Sequence, residues 1–147
     1  VDIELEDKLV KAFPNLFSRI REIAAVEKQF FGCACGDGWF TLVYSVCALM
    51  NGHTTSAAYK GPAVKILQIK EKFGALRIYY EGGDDYINGA VDLAEMLSTK
   101  ICDVTGAPGT LCRKPSGWLQ TLCPAEAEKL QAHPYTWPRK NALPAMN

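Results

Sequence analysis

Among the residues of this 147-residue chain that can do chemistry, the six cysteines stand first. Two of them head pairs with a recurring spacing, Cys102-x-x-Thr105 and Cys123-x-x-Glu126. A Gly/Pro turn and a short hairpin, predicted over 110–113 and 118–122, separate the pairs. The second pair opens a helix in which Pro124 takes the first turn, where its missing N–H costs nothing. Two C-x-x-C pairs on either side of a hairpin are a spacing that holds structural zinc, which asks for four tetrahedral ligands, usually thiolate or imidazole. Here each pair keeps one thiol. Thr105 is not a useful zinc ligand, so Cys102 and Cys123, with Glu126, are the candidate metal ligands and leave one position to water. Cys112, His53 or His133 would complete the set only if folding brought one of them close. Three states stay open: a weak zinc site, a metal-free remnant, and a Cys102–Cys123 disulfide in an oxidised preparation. In the metal-free state the Thr105 hydroxyl and the Glu126 carboxylate would hydrogen-bond across the old site. That state, with no cofactor, is the one expected, because a chain of this length buries roughly 68–70% of its unfolded surface and needs no ion to fold.

Cys33-Ala34-Cys35 is the second candidate. A C-x-C pair can bind a soft metal, and a thiol ahead of a helix start can be acidified. A nucleophile needs a partner base, however, and neither histidine sits in a local motif. Carboxylate pairs (Asp84-Asp85, Asp92 with Glu95) read as caps and solvated helix faces. There is no phosphate-binding glycine loop, no H-E-x-x-H and no nucleophile elbow. The expectation is a protein that is not an enzyme.

The elements that must position these residues follow from periodicity. Leu5, Leu9 and Phe13 mark a first helix from about residue 3, capped by Asp2 and ended by Pro14. Leu16, Phe17, Ile20, Ile23 and Ala24 mark a second, reaching about Glu27. A glycine-punctuated loop from Phe30 leads to a helix over 39–50, apolar nearly all round, expected to be central and to stop at Asn51-Gly52. Alternation over 63–69 and 76–80 predicts a β-hairpin, with KEKFGA as the reversal and Lys65, Gln68, Lys70 and Arg77 on its polar face. Gly82-Gly83-Asp84-Asp85 caps an amphipathic helix through Ile87, Val91, Ala94 and Leu97. The fold class is therefore α+β: a helical N-terminal part, one hairpin and an amphipathic helix over residues 1–100, then a lobe over 101–132. Turn, hairpin and helix give that lobe the layout of a degenerate treble-clef finger packed on the core. Residues 133–147 form an extended tail, docked by Tyr135 and Trp137.

Sixteen basic residues balance sixteen acidic ones. A dedicated nucleic-acid binder usually carries a basic excess, so the balance lowers that reading. Lys60, Lys65, Lys70 and Lys72 can still form a local patch. No run reaches the length a membrane helix needs, the acidic start is unlike a signal peptide, and thiols beside turns suit a reducing compartment. The expected location is the cytosol, with no membrane partner.

In this order, CGDGWF (Cys35 to Phe40), KEKFGALRIYY (Lys70 to Tyr80), AEMLS (Ala94 to Ser98), CDVTGAPG (Cys102 to Gly109) and GWLQTLC (Gly117 to Cys123) resemble a group of small phage and prophage proteins. Their pattern includes two complete C-x-x-C pairs that look zinc-binding, from which Thr105 and Glu126 depart here. The resemblance spans Cys35 to Glu126. It implies a phage-encoded accessory protein in the host-cell cytosol that binds a host protein or complex stoichiometrically, for instance to inhibit a host defence system. The candidate partner surface is the tip of the first hairpin with nearby aromatics: Lys70, Lys72, Phe73, Tyr79, Tyr80 and Tyr86. The alternative is a zinc-finger-like nucleic-acid-binding protein using Arg113, Lys114, Trp118, Arg139 and Lys140.

Overall fold

A computed structural model describes residues 1–20 and 32–137. The expected positions Ile23, Ala24, Glu27, Phe30 and Phe31, and the basic residues Arg139 and Lys140, lie outside the described residues. The fold is α+β. Helix α1 (Ile3–Ala12) starts where the Asp2 carboxylate accepts the amides of Glu4 and Leu5 at 3.0 and 2.9 Å, satisfying two of the donors every helix start leaves unpaired. Leu9 and Phe13 go into the core from its inner face.

A single turn of 3-10 helix over Asp37–Trp39 leads into α2 (Phe40–Thr55). Two expectations fail on α2. It runs past Asn51-Gly52, because one glycine costs about 1 kcal/mol while Met50 on the preceding turn is fully buried and the Thr54 and Thr55 hydroxyls bond back to the Met50 and Asn51 carbonyls. Nor is it buried all round: Val43, Val46, Cys47 and Met50 face the core, whereas Tyr44 and Leu49 are exposed.

Strands β1 (Cys33–Ala34), β2 (Lys65–Lys72) and β3 (Ala75–Glu81) form one sheet in that order, β1 parallel to β2 and β2 antiparallel to β3. Cys33-Ala34, expected as loop, pairs with Ile69 and Lys70. A bulge between Ile66 and Gln68 lets both Ile66 and Ile69 point inward despite their odd spacing. The hairpin is longer and its turn tighter than the alternation predicts. KEK belongs to β2, and Phe73-Gly74 alone makes the reversal, with φ of 55° and 81°. Helix α3 (Asp85–Ser98), capped by Asp84, lies along the open edge of β3. There the Glu95 carboxylate accepts the Ile78 amide at 2.9 Å and the Ser98 hydroxyl accepts the Leu76 amide at 2.9 Å, so the outward amides of an edge strand are paired off.

The second sheet has the order β5-β4-β6, from β4 (Thr110–Arg113), β5 (Leu119–Leu122) and β6 (His133–Pro134), with α4 (Pro124–Lys129) between β5 and β6. Helix α4 stops at Lys129, and Gln131 at φ 50° turns the chain back into β6. The start of the extended tail is thus a strand docked on β4: Pro134 pairs with Cys112, and the Tyr135 amide donates to the Leu111 carbonyl at 2.9 Å. The main core gathers Leu9, Phe17, Trp39, Val43, Ile66, Ile69, Leu76 and Ile87; a smaller one under the second sheet holds Cys102, Cys112, Leu122, Cys123 and Ala132. Three of those five are cysteines, packed as small apolar residues. Among the described residues no helix is long and apolar enough to cross a membrane.

Candidate functional site

The turn at Cys102 keeps the form of a metal knuckle. The Cys102 amide donates to the Ala107 carbonyl at 2.7 Å, and Gly106, at φ 77°, returns its amide to the Cys102 carbonyl at 2.9 Å. Burial pushes the Cys102 thiol up, but hydrogen bonds from the Thr105 hydroxyl and from the amides of Cys123, Thr105 and Val104 outweigh it and hold the thiol below its ordinary range. The Thr105 hydroxyl also donates to Cys123 Sγ at 3.7 Å, so it stands between the two sulfurs where a complete pair would supply a thiolate. Glu126 does not reach across to Thr105 as expected. Its carboxylate takes Lys129 Nζ at 2.6 Å, one turn along the same helix. Cys102 and Cys123 are both free thiols, not a disulfide. Two thiols, a hydroxyl and a carboxylate committed to a lysine do not fit a tetrahedral zinc ion. Among the described residues no three His, Cys, Asp or Glu side chains are grouped to hold a metal.

What closes the knuckle instead is the CGDG loop. Asp103, almost fully buried, accepts the Gly36 amide on Oδ1 and the Gln120 side-chain amide on Oδ2, both at 2.6 Å, and its carbonyl accepts the Gly38 amide at 2.9 Å. Trp39, wholly buried, adds a bond from Nε1 to the Ile101 carbonyl at 2.7 Å. The glycines are required by contact: a Cβ on Gly36 would lie 2.1 Å from the Asp103 carbonyl oxygen, and one on Gly38 2.2 Å from that of Cys102. Asp103 carries no signal as an isolated residue. Its role shows only when the glycine-bracketed loop and the knuckle are read as two faces of one contact.

This junction brings the first hairpin onto the second. The Thr121 hydroxyl donates to the Gly74 carbonyl at 2.6 Å, and Glu71 turns inward to accept the Gly74 amide at 2.6 Å. Burial pushes the Glu71 carboxyl up, opposed by that amide bond and by the Lys114 ammonium. From β6 the chain runs on through Tyr135, whose ring lies 4.0 Å under the Arg113 guanidinium, to Trp137, which meets Phe73 edge-on at 6.2 Å. A cleft of about 350 Å³ results, lined by Glu71, Lys72 and Phe73 from the first hairpin, Arg113, Gly117, Trp118 and Leu119 from the second, and Trp137. Phe73, Trp118 and Trp137 are 61%, 58% and 57% exposed. Among the described residues, three large aromatics this exposed around one concavity lack a packing explanation.

Of the sequence-predicted contact residues, Lys72 and Phe73 line the cleft, and Lys70 stands over Tyr79 on the outer face of the same hairpin, 5.0 Å from its ring. The structure does not bring Tyr80 and Tyr86 to them. Tyr80 packs against the main core and its hydroxyl meets Asn88 on α3. Tyr86 lies beyond the far end of β3, about 20 Å of strand from the turn, stacked on His53 at 4.2 Å. His53 there holds the Asp84 carboxylate at 2.8 Å, joining the end of α2 to the start of α3. Arg113 and Trp118 line the cleft and Lys114 follows Arg113 in the chain, so parts of the two surfaces inferred from sequence meet in one place. Cys33 and Cys35 are buried; burial pushes the Cys33 thiol up, and the Cys35 thiol up to about 12. Both shifts run opposite to the acidification that activates a nucleophilic thiol. Trp137 and Leu119 were not among the predicted site residues.

Compared with models of known families, with curated proteins and with solved structures, the chain matches none.

Proposed function

We propose that the protein is a non-enzymatic accessory protein of phage or prophage origin that binds a host protein stoichiometrically through the cleft between its two hairpins, and so inhibits a host system such as a defence complex. One observation carries the binding reading: Phe73, Trp118 and Trp137, each more than half exposed, surround a single cleft. Aromatic and arginine side chains in a concavity are the groups that dominate protein interfaces. Phe73 adds weight, because a bulky residue held at φ 55° in a two-residue turn is strained where Asn or Gly would be relaxed. The viral origin rests on the order of the CGDGWF, KEKFG, CDVTGAPG and GWLQTLC segments. Free thiols at all six cysteines suit the reducing cytosol of a host cell. The knuckle, on this reading, is scaffold without an ion.

The test is quantitative affinity capture from lysate of a susceptible bacterium with the intact chain and with Trp118→Ala. One stoichiometric protein retained by the first and lost by the second supports the reading; identical recovery by both contradicts it. The second reading, nucleic-acid binding by Arg113, Lys114 and Trp118, draws on cations beside aromatic rings, which also suit stacked bases. It predicts a gel shift that falls steeply with salt.

A further inference from the structure

The charges around the cleft specify the chemistry of what binds there, given the protein-docking reading. Lys72 and Arg113 line it, with Lys70 and Lys114 close to them along the two hairpins, and among the described residues none of the four lies within ion-pair distance of a carboxylate. Elsewhere on the chain Lys11, Arg77 and Lys129 are paired with Asp7, Glu95 and Glu126. Three of the four cations lie over aromatic rings instead: Lys70 over Tyr79, Lys72 over Phe73 and Arg113 over Tyr135. The acidic side chain among them, Glu71, is spent on the Gly74 amide. The cleft thus carries two cations without an ion-pair partner, Lys72 and Arg113, beside exposed aromatic rings.

We propose that the cleft takes a segment of a partner protein in which a bulky apolar side chain stands within a few residues of one or more carboxylates. The apolar side chain seats between Phe73, Trp118 and Trp137, and the carboxylates meet Arg113 and Lys72. A fixed Arg–aromatic stack presents the guanidinium edge to a carboxylate without further ordering, which is what makes such a group a specific anchor. A peptide fits better than a nucleic-acid strand. Two cations, Lys72 and Arg113, line a single concavity, and they form no basic track along which a phosphate backbone would run.

The probe is a displayed library of random 12-residue peptides panned against the intact protein, followed by affinity measurement on the best binder made as a free peptide. Enriched sequences should carry Asp or Glu within three residues of Leu, Phe or Trp. Trp118→Ala should weaken the free peptide about 30-fold, as loss of an aromatic anchor does. Arg113→Glu should weaken it about tenfold or more and turn enrichment toward Lys and Arg. Tyr86→Ala, on the remote face, should change nothing. Enrichment of apolar sequences without acidic residues, still dependent on Trp118, overturns this inference and leaves protein docking standing. Failure of any peptide to enrich, with salt-sensitive binding of a fluorescein-labelled oligo(dT), overturns both.

Discussion

Replacing Phe73 by Asn should separate function from stability at one residue. A side chain at φ 55° pays for the left-handed region, about 1–2 kcal/mol for an L-residue other than Gly, least for Asn. Phe73→Asn therefore relieves roughly 1 kcal/mol and creates Asn-Gly, the sequence this turn type prefers. Against that stands the lost ring. Phe73 is 61% exposed, so about two-fifths of it is covered, and full burial of such a side chain contributes about 1.5–3 kcal/mol. The share at risk is again roughly 1 kcal/mol. The two effects nearly cancel, and the variant should unfold within about 1 kcal/mol of wild type, where a buried Phe would lose several. Urea unfolding followed by tryptophan fluorescence reads the first quantity, and titration with the selected peptide the second, which should fall about tenfold or more. A stability loss above about 2 kcal/mol would make Phe73 a structural residue. Unchanged affinity would remove it from the contact surface, and either result refutes the assignment.

Four further outcomes follow from contacts elsewhere in the fold. Gly38→Ala drives a methyl into backbone atoms and endangers the Gly38–Asp103 bond, and should cost about 3 kcal/mol. Gly52→Ala and Gly89→Ala, mid-helix with nothing within 4 Å, should each gain about 0.5–1 kcal/mol in the same chemical melts. The His53 bond lowers the Asp84 pKa below its ordinary 3.8, so its stabilisation is present above 3.8 and lost as pH falls through the lower folded value. Thermal melts of Asp84→Asn should accordingly differ from wild type at neutral pH and converge in acid; a constant offset at every pH contradicts the pairing. Protein purified without added zinc should hold the metal substoichiometrically, and EDTA should leave its melting midpoint where it was; a marked drop would restore zinc to the knuckle.

The parts of the fold legible in sequence are those with local causes. Asp2 and Asp84 cap helices by their own chemistry, Pro124 fits a first helical turn, and alternation over 63–69 and 76–80 about the KEKFGA reversal makes a hairpin. What escaped depends on distant partners. Cys33-Ala34 becomes a strand because Ile69 and Lys70 offer an edge, and His133-Pro134 because β4 does. Helix α2 outlasts Asn51-Gly52 because Met50 is locked into the core. The cleft was half visible: Lys72, Phe73, Arg113 and Trp118 each drew notice, on separate surfaces. Their union depends on Thr121 reaching Gly74 across 47 positions of sequence, which no periodicity records. Tyr86 stands apart from the tip for the opposite reason, since closeness along the chain conceals the length of β3.

Photo-crosslinking tests the central claim most directly, with a benzophenone amino acid placed at Trp118 in one preparation and at Tyr86 in another, each irradiated in host lysate. The account predicts one discrete protein adduct from position 118 and none from position 86. An adduct from position 86 with none from 118 would contradict it.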